Sequence, residues 1–281
     1  MKFNNASKVI ALASVFTALG FTTSAYAGEA PASKEVVKVE EKTCEPFGLN
    51  VTLAYDSQYI FRGVNILGGG PGSGATEGGS LVSADINYNK YGFTIGGWYA
   101  SSINETPNGR GSHGAQDGTY TELDLYLSYA RTVGPVTLSA GYIYYLFPDA
   151  NGVDSNKDTH EFNVGISTSV IPFVTPSLTF YYDVDLFDGG YLEFKLASSI
   201  PVIADKLSID PYALVSYDFE YNSTTNDWNH FQAGVNVPYH LTKNVTISAY
   251  AAVSVALDAL TDEGLANDYE VFGGGKLGFS F

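Results

Sequence analysis

Cysteine and methionine are nearly missing from this chain of 281 residues, which holds one of each. The lone Cys44 cannot form an internal disulfide framework or supply a cysteine metal cluster. Positive charge is also scarce: 14 Lys and Arg stand against 30 acids, for a net charge of −16. That balance argues against nucleic-acid binding, which needs a basic face. No apolar run reaches the ~20 residues of a membrane-crossing helix, and mean hydropathy is near zero. A helical membrane bundle is thereby excluded. A membrane β-barrel is not, because its apolar residues fall on every second position and average out in any window.

What the chain has instead is 30 Gly, 21 Tyr and 17 Phe, a composition for many strands and tight turns. The final stretch, Tyr269–Phe281, is the clearest case. Tyr269, Val271, Gly273, Gly275, Leu277, Phe279 and Phe281 share one parity, and Glu270, Lys276, Gly278 and Ser280 share the other with Phe272. One face is oily and one polar, the period of a half-exposed strand.

The N-terminus predicts the compartment. Lys2 and Lys8 precede an apolar run, Val9 to Phe21, and Ala25-Tyr26-Ala27 offers a small-x-small cleavage site. Residues 1–27 therefore read as a secretory signal peptide, whose removal makes the chain two charges more negative. Residues 28–46 are charged, Pro-bearing and free of aromatics, and read as a periplasmic linker, with a short helix over 34–42 as the alternative. Glu41-Lys42-Thr43 before Cys44 is not a lipobox.

From 47 to 281 alternation recurs. Apolar faces begin at Phe47, Val82, Phe93, Leu123, Val136, Phe162, Leu178, Leu192, Leu207, Phe231, Val245 and Tyr269, predicting about twelve strands, the first with Tyr59 and Phe61 on its lipid face and the seventh reaching Leu186. One misread hairpin would make ten or fourteen. Short connections alternate with longer ones rich in Gly, Asn, Asp and Ser, as an up-and-down barrel with both termini in the periplasm requires. The expected fold is all-β: an antiparallel transmembrane barrel closed by pairing its first and last strands. Charge placement sharpens this. Asp56, Arg62, Asp85, Glu122, Asp124, Glu161, Asp183, Asp185, Glu193, Lys195, Asp210 and Asp218 all lie on the parity opposite the apolar faces, as do Glu220, Glu270 and Lys276. A charge facing lipid at mid-bilayer costs ~2–4 kcal/mol. A soluble sandwich would alternate too, but it would not place Tyr55, Tyr88, Tyr99, Tyr129, Tyr144, Tyr217, Tyr239 and Tyr269 toward the ends of apolar faces, where rings prefer the lipid–water boundary.

Two segments carry resemblances. The terminal GKLGFSF, with Phe279 and Phe281, resembles the signal by which the outer-membrane assembly machinery recognises its substrates. The segment LAYDSQYIFRGVNI, and within it Tyr59, Ile60, Phe61, Arg62 and Gly63, resembles the opening strand of the TorF-type porins, the Gcw_chp family. That resemblance implies an outer-membrane barrel with a channel function. Closure of the barrel by its first and last strands places the YIFRG strand beside the terminal strand at the seam, as an expectation of the strand count.

Other chemistry is thin. Gly68–Gly79 lacks the Lys-Ser/Thr of a phosphate loop. Asp154, Asn156 and Asp158 begin like a calcium loop, but Thr159 and Gly165 stand where Gly and a bidentate acid belong. Of four histidines, only His160 has lipid-facing parity inside a strand, and no outward Ser accompanies it, so no catalytic residue, cofactor or metal site is expected. The polar parity supplies the candidate site: acids far outnumber Arg62, Lys195 and Lys276, with Arg62 expected to pair with a neighbour such as Asp85. The sequence thus predicts a monomeric, narrow channel of the outer membrane, surrounded by lipid and passing ions or small solutes, with cations preferred. The alternative is a barrel with a filled lumen that works through its loops, and an outer-membrane enzyme stands third.

Overall fold

The computed structural model describes residues 47–68, 79–103, 120–148 and 158–281, together with the isolated pairs 14–15 and 35–36. The cleavage site, most of the linker and Cys44 lie outside the described residues. So do Asp154, Asn156, His113 and nearly all of the Gly68–Gly79 loop.

Twelve antiparallel strands form the barrel: β1 Leu49–Asp56, β2 Leu81–Lys90, β3 Phe93–Ser102, β4 Thr121–Val133, β5 Val136–Leu146, β6 Thr159–Thr168, β7 Thr175–Asp183, β8 Gly190–Ala197, β9 Leu207–Phe219, β10 Asn226–His240, β11 Val245–Ala256 and β12 Tyr269–Ser280. A short segment, Ile200–Ile203, continues β8 along the same neighbour, β9. Each strand pairs with its sequence neighbours, and β12 pairs with β1, so no edge is left open. At that seam the Gly48 amide donates to Phe281 O at 2.8 Å and the Phe281 amide donates to Leu49 O at 2.9 Å. The chain's last aromatic residue is therefore locked to its first strand.

The alternation has the physical meaning expected of it. Along β4, Leu125 and Leu127 are 46% and 48% exposed on the outer wall, while Asp124 between Leu123 and Leu125 is 2% exposed inside. Tight turns close one end. Tyr91-Gly92, with φ of 55° and 84°, makes the mirror-image turn that suits strand twist. Among the described residues no helix is long and apolar enough to cross a membrane; α1, Asp258–Thr261, is a single turn in the connection to β12.

Two expectations are corrected here. The first strand was expected to run from Phe47 through Phe61, with Tyr59 and Phe61 facing lipid. It ends at Asp56, because Ser57 falls where the outer face needs an apolar residue. Consequently YIFRG does not lie at the seam; the partners of β12 are residues 50–56. The seventh strand was expected to reach Leu186 and stops at Asp183, so Asp185 is an exposed loop residue.

Candidate functional site: a hairpin folded across the barrel

Beyond Asp56 the chain turns into the barrel and makes a small hairpin of its own. Ile60–Phe61 pairs with Val64–Asn65 around Arg62-Gly63, whose φ angles of 48° and 81° give a second mirror-image turn. Gly63 is needed for space as well as for φ. A Cβ there would lie 2.7 Å from Leu260 Cδ1 and 2.9 Å from His230.

The hairpin touches the wall on several sides. Tyr59 packs against the Trp98 and Tyr120 rings, in a buried cluster that also holds Leu81, Tyr126 and Tyr145. Ile60 joins Tyr212, Leu214, Tyr250 and Phe272 on a different arc of strands. Arg62 reaches a third arc: its Nη1 lies 2.7 Å from Glu161 Oε2, and its Nη2 donates to Glu161 Oε1 at 2.9 Å. The guanidinium also lies over four rings, with centroid distances of 4.1 Å for Tyr221, 4.5 Å for Tyr191, 4.7 Å for Tyr181 and 4.9 Å for Phe61. The expected pairing of Arg62 with Asp85 is therefore replaced by one with Glu161, because the hairpin carries Arg62 away from β2 to β6.

The inward acids are largely met by neutral donors. Tyr59 and Tyr120 hydroxyls donate to Glu122 Oε2 at 2.9 and 2.5 Å. Asp85 accepts from Tyr126 at 2.6 Å and from Asn87 at 2.6 Å. Asp56 accepts from Tyr250, Asp210 from Ser199, and Glu270 from Gln58 and Asn267. Asp124 is buried beside Glu122's strand position, and Glu193 is half-buried. Lys195 Nζ sits 5.2 Å from the Tyr212 ring centroid. Asp183 and Asp218 do something different. Asp183 accepts from the Asp185 and Phe187 amides and the Thr159 hydroxyl, and Asp218 from the Tyr221 and Asn222 amides and the Asn229 side chain. These two carboxylates hold the loops that follow β7 and β9.

Sequence periodicity missed one buried cluster. Ser216 faces both Asn229 and His230, because the β9–β10 register shifts there by one residue. Such a bulge turns two consecutive side chains inward. Ser216 Oγ and Asn229 Oδ1 both lie against His230 Nδ1, at 2.8 and 2.7 Å. With both contacts on one ring nitrogen, the trio does not form the serine–imidazole–orienting-group relay of a hydrolase. Among the described residues no cluster of His, Cys, Asp and Glu could hold a metal ion. Asp158 instead accepts from the Tyr144 hydroxyl and the Phe147 amide.

Comparison with known proteins bears on the whole barrel. A family model described as "Bacterial protein of unknown function (Gcw_chp)" matches residues 40–269. No curated protein matches the sequence. Among solved structures, the KdgM porin in complex with disordered oligogalacturonate aligns over 83% of this chain and 99% of its own, at 10% identity and a TM-score of 0.50. The NanC porin aligns over 83% and 98%, at 12% identity and 0.48. LpxR from Salmonella typhimurium aligns over 83% and 100%, at 12% identity and 0.48. At the identity and score of the KdgM match, what is shared is the fold, a closed antiparallel barrel.

Proposed function

The chain belongs to the Gcw_chp family, and we propose that it is a narrow outer-membrane channel for ions or small solutes that favours cations. The observation that carries this reading is the inward wall, where buried Asp56, Asp85, Glu122 and Asp210 accept from hydroxyl and amide donors. Carboxylates held by neutral groups keep a negative field, which raises the local concentration of counter-ions. A barrel of this strand number leaves a lumen narrower than that of the 16–18-stranded porins, and the hairpin narrows it further. Export through the periplasm, recognition of Phe279 and Phe281 by the assembly machinery, and a TorF-type porin role belong to the same reading.

The second reading, a barrel with a permanently filled lumen, is favoured by the hairpin's contacts on three arcs of wall. Planar-bilayer recording of the purified chain separates the two. Discrete conductance steps whose reversal potential in a KCl gradient favours K⁺ support the channel; a stably inserted but silent barrel sinks it.

A further inference from the structure

Between the hairpin and the loop end of the barrel lies a cavity of about 210 Å³. It is small beside the roughly 300–1,000 Å³ of typical small-molecule pockets, and it is strongly aromatic. Tyr59, Tyr120 and Phe147 form one wall, with successive ring centroids 5.8 and 6.5 Å apart. Phe187 and Tyr221, stacked at 4.5 Å, form another. Glu122 is the one charged side chain among the described lining residues, with its Oε2 fixed by the Tyr59 and Tyr120 hydroxyls and its carboxyl hydrogen-bonded to that of Asp124.

From this geometry we infer that the cavity is a binding site for a small organic cation, an ammonium or guanidinium group on an apolar body. Ring faces carry negative potential and attract a desolvated cation, and a carboxylate at the same place fixes its charged end. The protein already supplies the analogue. One face-sharing wall away, Arg62 lies 4.1 Å over the Tyr221 ring with Glu161 as its counter-charge, so a guanidinium is held in this lumen by rings and one carboxylate. Because Glu161 balances Arg62, the field from the described wall of the cavity is left to Glu122 together with Asp124 behind it. A sugar would also stack on these rings, but it would gain nothing from the carboxylate's charge that a cation does not gain more strongly. An anion would face both Glu122 and the ring faces. The inference deepens the cation-channel reading by naming a solute class, and it rests on that reading only for the direction of transport.

The test uses the purified full chain in nonionic micelles, titrated calorimetrically with benzyltrimethylammonium chloride, benzyl alcohol, sodium benzoate and maltose. Saturable binding of the cation is expected, at least tenfold tighter than benzyl alcohol, with no binding of benzoate and no displacement by maltose. Glu122→Gln should weaken cation binding at least tenfold. Folding of that variant is checked by its heat-modifiable gel mobility. Should it fail to fold, Phe147→Leu at the cavity wall must weaken binding at least threefold. Equal affinity for benzyl alcohol and the cation overturns the proposal, as does displacement by maltose, absence of saturable cation binding, or indifference of the affinity to both substitutions. Bilayer recording of the same preparation separates the two claims. A silent barrel that binds the cation ends the channel reading and keeps the site, whereas a conducting barrel that ignores it ends the site and keeps the channel.

Discussion

Arg62 shows how much a single side chain can organise inside a barrel. Its guanidinium is 5% exposed as a residue, ion-paired to Glu161 and overlaid by four aromatic rings. A planar cation suits that cage because it can stack and hydrogen-bond at once, which an ammonium cannot do. Removing one member of a buried ion pair leaves the other charge uncompensated, at a cost of about 3–5 kcal/mol. Arg62→Ala is therefore expected to lower unfolding free energy by about that amount in a urea titration from lipid vesicles. Arg62→Ala with Glu161→Gln should recover part of it, since the second change removes the stranded carboxylate; a coupling of about 0.5–3 kcal/mol is the expected scale. A double variant as unstable as the sum of the two singles would show that the pair contributes nothing as a pair. That Arg62 has an inward acid for a partner was legible in the charge parity of the strands. Which acid was not, because the partner depends on a hairpin that moves Arg62 from one arc of wall to another.

At the scale of the element, β12 carries four glycines among its twelve residues, and they are not equivalent. Gly274 faces inward, where the Tyr250 ring lies over its backbone; an added Cβ would stand 2.1 Å from Tyr55 O and 2.7 Å from Tyr250 Cε1. The same pairing of an inward tyrosine with a cross-strand glycine recurs at Tyr126 and Gly96 and at Tyr212 and Gly234. The ring covers the bare glycine and restores the packing that its missing side chain forgoes. Gly275, next in sequence, faces out, and its added Cβ would find nothing closer than Ser248 O at 3.7 Å. Gly274→Ala should thus destabilise the barrel by roughly 1–3 kcal/mol, as overpacking does, while Gly275→Ala stays near wild type; vesicle-based urea unfolding of both decides it, and equal losses would refute the assignment of faces. This strand was readable from sequence because period two governs it from Tyr269 to the end. β1 and β10 were less so. In β1 the polar residue Ser57 ends the outer face although Tyr59 and Phe61 keep the same parity. In β10 a one-residue bulge turns Asn229 and His230 inward together. Periodicity assumes an unbroken strand, and these two places break it.

For the whole molecule, the question is what the hairpin does to a pathway through the barrel. Tyr59, Ile60 and Arg62 are all buried and rest on different arcs of wall, so the segment lies across the lumen. If solutes cross, they cross past it, and its removal should widen the narrowest point while leaving the seam between β1 and β12 intact, because the paired residues 50–56 lie outside the hairpin. Replacing residues 59–66 by a short Gly-Ser linker is expected to raise single-channel conductance several-fold in a planar bilayer. Cation preference should survive in that variant, since the wall acids Asp85 and Asp124 remain. It should then fall when Asp85→Asn and Asp124→Asn are added, and more visibly at 0.1 M than at 1 M salt, where the Debye length shrinks from about 10 to about 3 Å. Asp183 and Asp218 are poor choices for the same experiment, since loop amides engage them and their loss would change loop structure as well as charge. A hairpin-replaced barrel that inserts and stays silent would mean that side chains below the hairpin seal the lumen by themselves. An increase in conductance without cation preference would instead make the carboxylates structural partners of their tyrosines, and place selectivity in some other part of the wall.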